Sequence, residues 1–246
     1  MKALLLCAGI GSRLRPITNN IPKPLVPING KPLLEYWLEN LTKVGVNEFL
    51  INTHYLHKQI EEYISKSIYK DKVTLVYEQK LLNTGGTLLE NKSSFINQTN
   101  KSVCNNKPFM LVHADNLSFC NYNNFILSHK NRPNNCEITM MLFKSDNPSS
   151  CGIVELDKNN IVQKFHEKVE NPPSNLANGA VYICEPSIFN FLESLNNKDI
   201  DFSNDVLPNY MGRINTFLND VYHRDIGTIE SYALSQIEIL SLSALD

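Results

Sequence analysis

Leu4-Leu5-Leu6-Cys7-Ala8-Gly9-Ile10-Gly11-Ser12-Arg13 is the stretch on which the reading of this chain turns. Residues 2–8 read as a strand covered on both faces, as in a parallel sheet. A Gly-x-Gly turn leaves that strand at once. Glycines allow close backbone approach and conformations closed to residues carrying a Cβ, so several N–H groups of such a loop can point at phosphate oxygens. Gly-x-Gly by itself is equally an ordinary structural turn. It is not the dinucleotide fingerprint, because Arg13 interrupts the continuation to a third glycine, and the Gly-x-x-x-x-Gly-Lys-Ser/Thr phosphate loop is absent.

Working outward, Pro16, Pro22, Pro24 and Pro27 keep the next segment from forming a long helix. Residues 32–43 place Leu33, Leu34, Trp37, Leu38 and Leu41 on one side of a helix, and Gly45 stops it. A strand at 49–52, a helix at 56–67 and a strand at 73–77 complete a strand–helix alternation. That order predicts an α/β, Rossmann-like three-layer fold with a central, mostly parallel mixed sheet. A helix is expected to begin near Gly86, and residues 91–106 read as a loop or broken helix. Further strands are expected at 108–113, 138–143, 152–156, 161–166, 180–184 and 214–218. Helices are expected at 122–130, 186–195, 201–211 and 228–242. With no repeat or linker, the expectation is a single domain over 1–246, with one portion at about 1–120 and another at about 121–235.

The chain of 246 residues carries 23 basic and 25 acidic side chains, a formal net charge of -2. That argues against a general nucleic-acid surface while leaving room for a local basic pocket. No run of 18 or more apolar residues suggests a membrane span. The six cysteines (Cys7, Cys104, Cys120, Cys136, Cys151 and Cys184) include no Cys-x-x-Cys pair, and with no signal peptide the expectation is reduced thiols in a cytoplasmic protein.

Arg13 and Lys23 can offset charge on a triphosphate and on departing pyrophosphate. The longer text narrows the reading. Leu4 to Thr18, followed by Pro22-Lys23-Pro24-Leu25-Val26-Pro27 and Gly30-Lys31-Pro32-Leu33, resembles the signature of sugar-1-phosphate nucleotidyltransferases, and the resemblance covers nearly all of residues 2–235. Among these enzymes the appearance is nearest to mannose-1-phosphate guanylyltransferases. The resemblance implies that Ala8, Gly9, Gly11, Ser12 and Arg13 wrap the nucleotide phosphates, with Lys23 contacting them. It also implies a nucleoside triphosphate and a sugar 1-phosphate as substrates, and a monomer or homodimer.

Gln79 can donate to and accept from a base edge, and Thr84-Gly85-Gly86 offers a tight approach after a strand. The resemblance puts Gln79, Thr84 and Gly85 against base and ribose, although Asn83 stands where the family usually has glycine. Asp115, just beyond an apolar strand, can ligate Mg²⁺ or be an ordinary surface-loop carboxylate. Asp225 in Arg224-Asp225-Ile226-Gly227-Thr228 offers a second carboxylate, and the resemblance implies that both are metal ligands. Mg²⁺ prefers oxygen ligands and retains waters and substrate phosphates, so two aspartates suffice. The histidines show no zinc spacing. Glu167 can accept sugar hydroxyls, Lys168 can neutralise an attacking phosphate, and Asn178 can bridge hydroxyls. The resemblance assigns all three to the sugar phosphate and Gly152 to a close backbone approach there. Val169 replaces the usual proline after Lys168.

The expected reaction is attack of a sugar 1-phosphate oxygen on the nucleotide's α-phosphorus. Arg13, Lys23, Asp115, Lys168 and Asp225 are the expected catalytic residues. The expected pairing is GTP with mannose 1-phosphate or a related sugar. Uridylyl transfer to an amino-sugar or other hexose 1-phosphate, and guanylyl or cytidylyl transfer to heptose 1-phosphate, remain open. A nicotinamide oxidoreductase leaves Pro22-Lys23-Pro24 unexplained. A noncatalytic nucleotide-sugar sensor is the other open alternative, though Asp115, Lys168 and Asp225 together argue for activity.

Overall fold

A computed structural model describes residues 1–96 and 107–242. In chain order the elements are β1 (Lys2–Leu6), β2 (Pro27–Ile28), β3 (Lys31–Pro32), α1 (Leu33–Lys43), β4 (Glu48–Thr53), α2 (His57–Lys66), β5 (Val73–Tyr77), α3 (Asn83–Glu90), β6 (Phe109–His113) and β7 (Asn116–Phe119). There follow α4 (Tyr122–Lys130), β8 (Ile138–Lys144), β9 (Gly152–Leu156), β10 (Val162–Glu167), β11 (Leu176–Cys184), α5 (Ile188–Ser194), β12 (Ile214–Leu218), β13 (Tyr222–Asp225) and α6 (Ile229–Leu242). The apolar and glycine punctuation placed most of these to within a residue or two. Residues 201–211 are instead a π-turn followed by a 3₁₀ turn. The expected loop at 91–106 begins with a 3₁₀ turn at Lys92–Ser94, and its residues from 97 onward lie outside the described chain.

The chain gathers into two compact units and passes between them several times. The first comprises Ala3–Leu81, His113–Phe119 and Tyr222–Asp246; the second comprises Met1–Lys2, Leu82–Val112 and Cys120–Val221. Residues 82–112 cluster with the later part of the chain, and 222 onward returns to the first unit.

In the first unit the strand order runs β1-β4-β5, and β4 and β5 are parallel with Phe49 opposite Val73. Trp37, Leu33, Leu34, Leu38 and Leu41 of α1 are all buried, confirming the apolar face. Gly45, at φ 86, supplies the left-handed residue that ends the helix, donating to Thr42 O at 3.0 Å. Under the glycine loop lies a core of Leu14, Val26, Ile28, Leu33, Tyr36, Leu117, Ile226 and Ile239. β7, which contributes Leu117 to this core, and β13 form a separate antiparallel ribbon.

In the second unit the order is β10-β9-β11-β6, with β8 paired to β11 and to β12. β8 and β12 are parallel, whereas β11 runs antiparallel to β6, β8 and β9. The Asp157–Asn160 turn joins β9 to β10 as an antiparallel pair, with Asp157 Oδ1 accepting from the Asn159 and Ile161 amides. β11 is longer than the expected 180–184. Its register shifts between Asn178 and Tyr182, where Ala180 takes φ 53, and that irregularity hides the strand's first half from an alternation pattern. Among the described residues Cys7, Cys120, Cys136, Cys151 and Cys184 are free thiols; Cys104 lies outside them. No described helix is long and apolar enough to cross a membrane.

Candidate active site

Leaving β1, the chain turns on Gly11 in the left-handed region, at φ 66. A Cβ there would stand 3.1 Å from Thr18 Cγ2 and 3.2 Å from Lys23 Cβ. The Gly11 carbonyl accepts from the Leu14 amide at 3.0 Å and from Thr18 Oγ1 at 2.7 Å. Leu14 is sunk in the core, so the loop is anchored at one residue while Gly9, Ile10, Ser12 and Arg13 are exposed and Ala8 is buried. A backbone anchored in this way suits an anion because little ordering remains to be done on binding.

Lys23 is the focus of the charges. It is only 6% exposed, and its Nζ donates to Asp115 Oδ2 at 2.8 Å and lies 3.7 Å from Asp225 Oδ1. Arg13 Nη2 stands 4.0 Å from Asp225 Oδ2, with most of its side chain in water. The ribbon accounts for the meeting of two residues so distant in sequence. Asp115 sits between β6 and β7, Asp225 closes β13 opposite Asn116, and the Ile226 amide donates to Asp115 O at 3.2 Å. Trp37 Nε1 donates to Asn116 O at 2.8 Å, fixing the ribbon to α1. Gly227 makes room for the pair: a Cβ there would lie 2.5 Å from Asp225 Oδ2 and 3.1 Å from Arg13 Nη2.

The environment splits the two carboxyls. Desolvation would raise Asp115, but the charges of Lys23 and His113 and the Lys23 hydrogen bond outweigh it and bring it down to about 2. Desolvation and then the charge of Asp115 hold Asp225 above the ordinary carboxylate value, against Lys23 and Arg13. Both side chains remain partly exposed, at 42% and 53%, so water screens part of each interaction. Burial pushes the neighbouring His223 down to about 4, so that ring is neutral near pH 7.

The donor set fits Mg²⁺. Two carboxylates already converge on one cationic nitrogen, and both are hard oxygen donors. Among the described residues no group of three or more His, Cys, Asp or Glu side chains forms a metal cage, and Mg²⁺ with its waters and substrate phosphates requires none.

Gln79 lies exposed just beyond β5 in the first unit. Thr84 and Gly85 belong to the second, at the start of α3. There Thr84 Oγ1 accepts from the Phe202 amide at 2.8 Å, and the Gly85 and Gly86 amides donate to Ile200 O at 2.8 and 3.0 Å. A Cβ on Gly86 would meet Lys198 O at 2.1 Å. The glycine pair thus admits the 198–202 segment against α3, a packing duty that the sequence reading missed, and it commits the Gly85 N–H to protein.

The sugar-side candidates share one sheet of the second unit. Gly152 on β9 pairs with Glu167 on β10, and a Cβ there would stand 2.5 Å from Phe165 Cζ and 2.8 Å from Glu167 Oε2. Lys168, at φ 49, reaches back to Glu167 Oε1 at 3.1 Å and donates its amide to Cys151 O. On β11, Asn178 Oδ1 accepts from the Ala180 amide at 2.9 Å and Nδ2 donates to Tyr182 Oη at 2.6 Å. One amide proton and one lone pair of Asn178 remain by valence for a further partner. His166 is held by Glu155, Nε2 to Oε1 at 2.8 Å.

The sequence and the fold match known proteins. The nucleotidyl transferase family spans residues 2–241 of the chain. The chain belongs to that family. D-glycero-α-D-manno-heptose 1-phosphate guanylyltransferase of Campylobacter jejuni is 30% identical to the transferase, over 94% of this chain and 97% of that protein. Mannose-1-phosphate guanylyltransferase catalytic subunit beta of Drosophila melanogaster is 28% identical, over 98% of this chain and 63% of that one. The crystal structure of HddC from Yersinia pseudotuberculosis superposes with a TM-score of 0.78 at 24% identity, covering 97% of this chain and 99% of that chain, and shows the shared fold. The transferase is a sugar-1-phosphate nucleotidyltransferase with the α/β, Rossmann-like architecture expected from its sequence.

Proposed function

We propose that this enzyme transfers a guanylyl group from GTP, with Mg²⁺, to a sugar 1-phosphate of manno configuration, either a heptose 1-phosphate or mannose 1-phosphate. The observation that carries the chemistry is the convergence of Asp115 and Asp225 on Lys23 beside the glycine loop. The names of the two guanylyltransferases above support the base and the sugar configuration.

In this reading a sugar-phosphate oxygen forms a bond to the α-phosphorus as the bond from that phosphorus to the β-phosphate bridging oxygen breaks, releasing pyrophosphate. The attacking oxygen is already anionic, so no serine or cysteine need be deprotonated. Repulsion between the anions is the main barrier. Loop amides at 9–13 and Lys23 hold the triphosphate, and the exposed Arg13 follows the charge of the departing pyrophosphate. Glu167 and Asn178 orient sugar hydroxyls, and Lys168 counters the charge of the attacking phosphate. Asp115 and Asp225 would hold Mg²⁺, which when bound would supply Lewis-acid charge at the phosphates.

The test is pyrophosphate release in a matrix of ATP, CTP, GTP, UTP and dTTP against mannose, heptose, glucose and N-acetylglucosamine 1-phosphates. The expected maximum is GTP with heptose or mannose 1-phosphate. A maximum with UTP and N-acetylglucosamine 1-phosphate would replace the proposed substrates. No release with any pair, from protein that binds nucleotide, would favour a sensor.

A further inference from the structure

Asn52, the penultimate residue of β4, is 3% exposed and has no place in the reaction scheme. Its side chain nevertheless joins three strand ends. Asn52 Oδ1 accepts from the Cys7 amide at 2.7 Å, immediately before the glycine loop. Asn52 Nδ2 donates to Glu78 Oε1 at 3.0 Å, immediately before Gln79. The Glu78 backbone is itself held, its amide donating to Thr53 O at 2.8 Å and its carbonyl meeting His54 Nδ1 at 2.7 Å. Cys7 is 4% exposed and Glu78 6%, so these bonds lie away from water, where a polar group left unpaired is costly.

We propose that Asn52 is a positioning residue for the nucleotide: one buried amide sets the entrance of the 8–13 loop relative to the segment carrying Gln79. The geometry requires an acceptor toward Cys7 and a donor toward Glu78 from the same planar group. Asparagine supplies both; aspartate supplies only acceptors and sets two carboxylates against each other. A buried network of this kind specifies one arrangement of the elements it joins. The consequence is a loop held ready for triphosphate and in fixed register with Gln79. The inference rests on the reading of the loop as the triphosphate site and of Gln79 as a base contact.

The test reverses the polarity of the Asn52–Glu78 bond. Asn52→Asp alone places like charges together. Adding Glu78→Gln lets the new glutamine amide donate to the new aspartate, which still accepts from Cys7, with the net charge of the pair unchanged. Calorimetric titration with GTP and with UTP, and steady-state kinetics with the sugar 1-phosphate, are run on wild type, both single variants and the double variant. Asn52→Asp is expected to weaken GTP binding about tenfold or more and to narrow the gap between GTP and UTP, leaving KM for the sugar 1-phosphate within about twofold. The double variant is expected to recover most of the GTP affinity.

Equal GTP affinity in wild type and Asn52→Asp would overturn the proposal, as would equal weakening toward both substrates. If Asn52→Asp does not fold, the double variant decides: recovery of fold and GTP affinity supports the proposal, and recovery of fold without affinity overturns it, as does no recovery. A wild type that binds no nucleotide, or shows no base preference, would instead remove the reading on which the inference rests.

Discussion

Asp115 and Asp225 come from distant parts of the chain and meet on one buried ammonium, whereas Gly152, Glu167 and Asn178 occupy β9, β10 and β11, neighbours in a single sheet. The first cluster depends on a ribbon of two four-residue strands, one glycine and opposed charges within 4.0 Å. The second is spread over three strands of the sheet and ends in a lysine that is 65% exposed. A small displacement at the ribbon therefore disturbs interacting charges at once, while a displacement in the sheet moves separate contacts. On the proposed function, a change in the first region should cost turnover and a change in the second should cost sugar recognition.

The largest expected effect belongs to Asp115→Asn. Removing that charge takes away half of the carboxylate pair, and kcat/KM should fall on the order of 10³-fold with an unchanged fold by circular dichroism. Near-normal turnover from the folded variant would break the assignment. Gly227→Ala and Gly152→Ala then make the same chemical change in the two regions. At Gly227 the new methyl meets Asp225 Oδ2 at 2.5 Å, so kcat should drop on the order of 10²-fold, because small misplacements at a reacting centre are costly. At Gly152 it meets Phe165 and Glu167, so KM for the sugar 1-phosphate should rise about tenfold while nucleotide affinity holds. If both variants changed the same kinetic constant, the division of labour would be wrong.

The smallest effect concerns acid stability in the second unit. His129 is buried, bonded to Thr139 Oγ1 at 2.8 Å, and burial followed by the charge of Arg132 lowers it to about 3 from 6.5. Between those values the unfolded chain binds a proton that the folded chain refuses. This contribution is therefore complete above pH 6.5 and is lost progressively as pH falls toward 3. His129→Gln should flatten the dependence of Tm on pH across that window; an unaltered slope would remove His129 as its source.

How far the sequence could be read follows from the same contrast. Trp37 and the leucines of α1, the apolar run of β1 and the glycine loop carry strong local signals, and their elements were legible. The ribbon was not. Asn116-Leu117-Ser118-Phe119 and Tyr222-His223-Arg224-Asp225 are too short for a period to stand out, and a pairing between distant segments leaves no local trace. Asp115 and Asp225 could be named as candidate ligands from a resemblance to a family, but their meeting on Lys23 needed the fold. Asn52 and Glu78 were missed for a related reason: an amide at a strand end and an acid beside a candidate contact have no signature until Asn52 is seen to bridge Cys7 and Glu78. The Gly85-Gly86 pair was legible as a close approach, though what approaches, the 198–202 segment, was not.

The central claim is that Asp115 and Asp225 act as one unit on the nucleotide phosphates. A double-mutant cycle on turnover tests it most directly, comparing Asp115→Asn, Asp225→Asn and the double variant with wild type at saturating Mg²⁺ and both substrates. The account predicts that the double variant is hardly slower than the slower single variant, since either change already dismantles the pair. Losses that multiply across the two positions would show two independent carboxylates and contradict it.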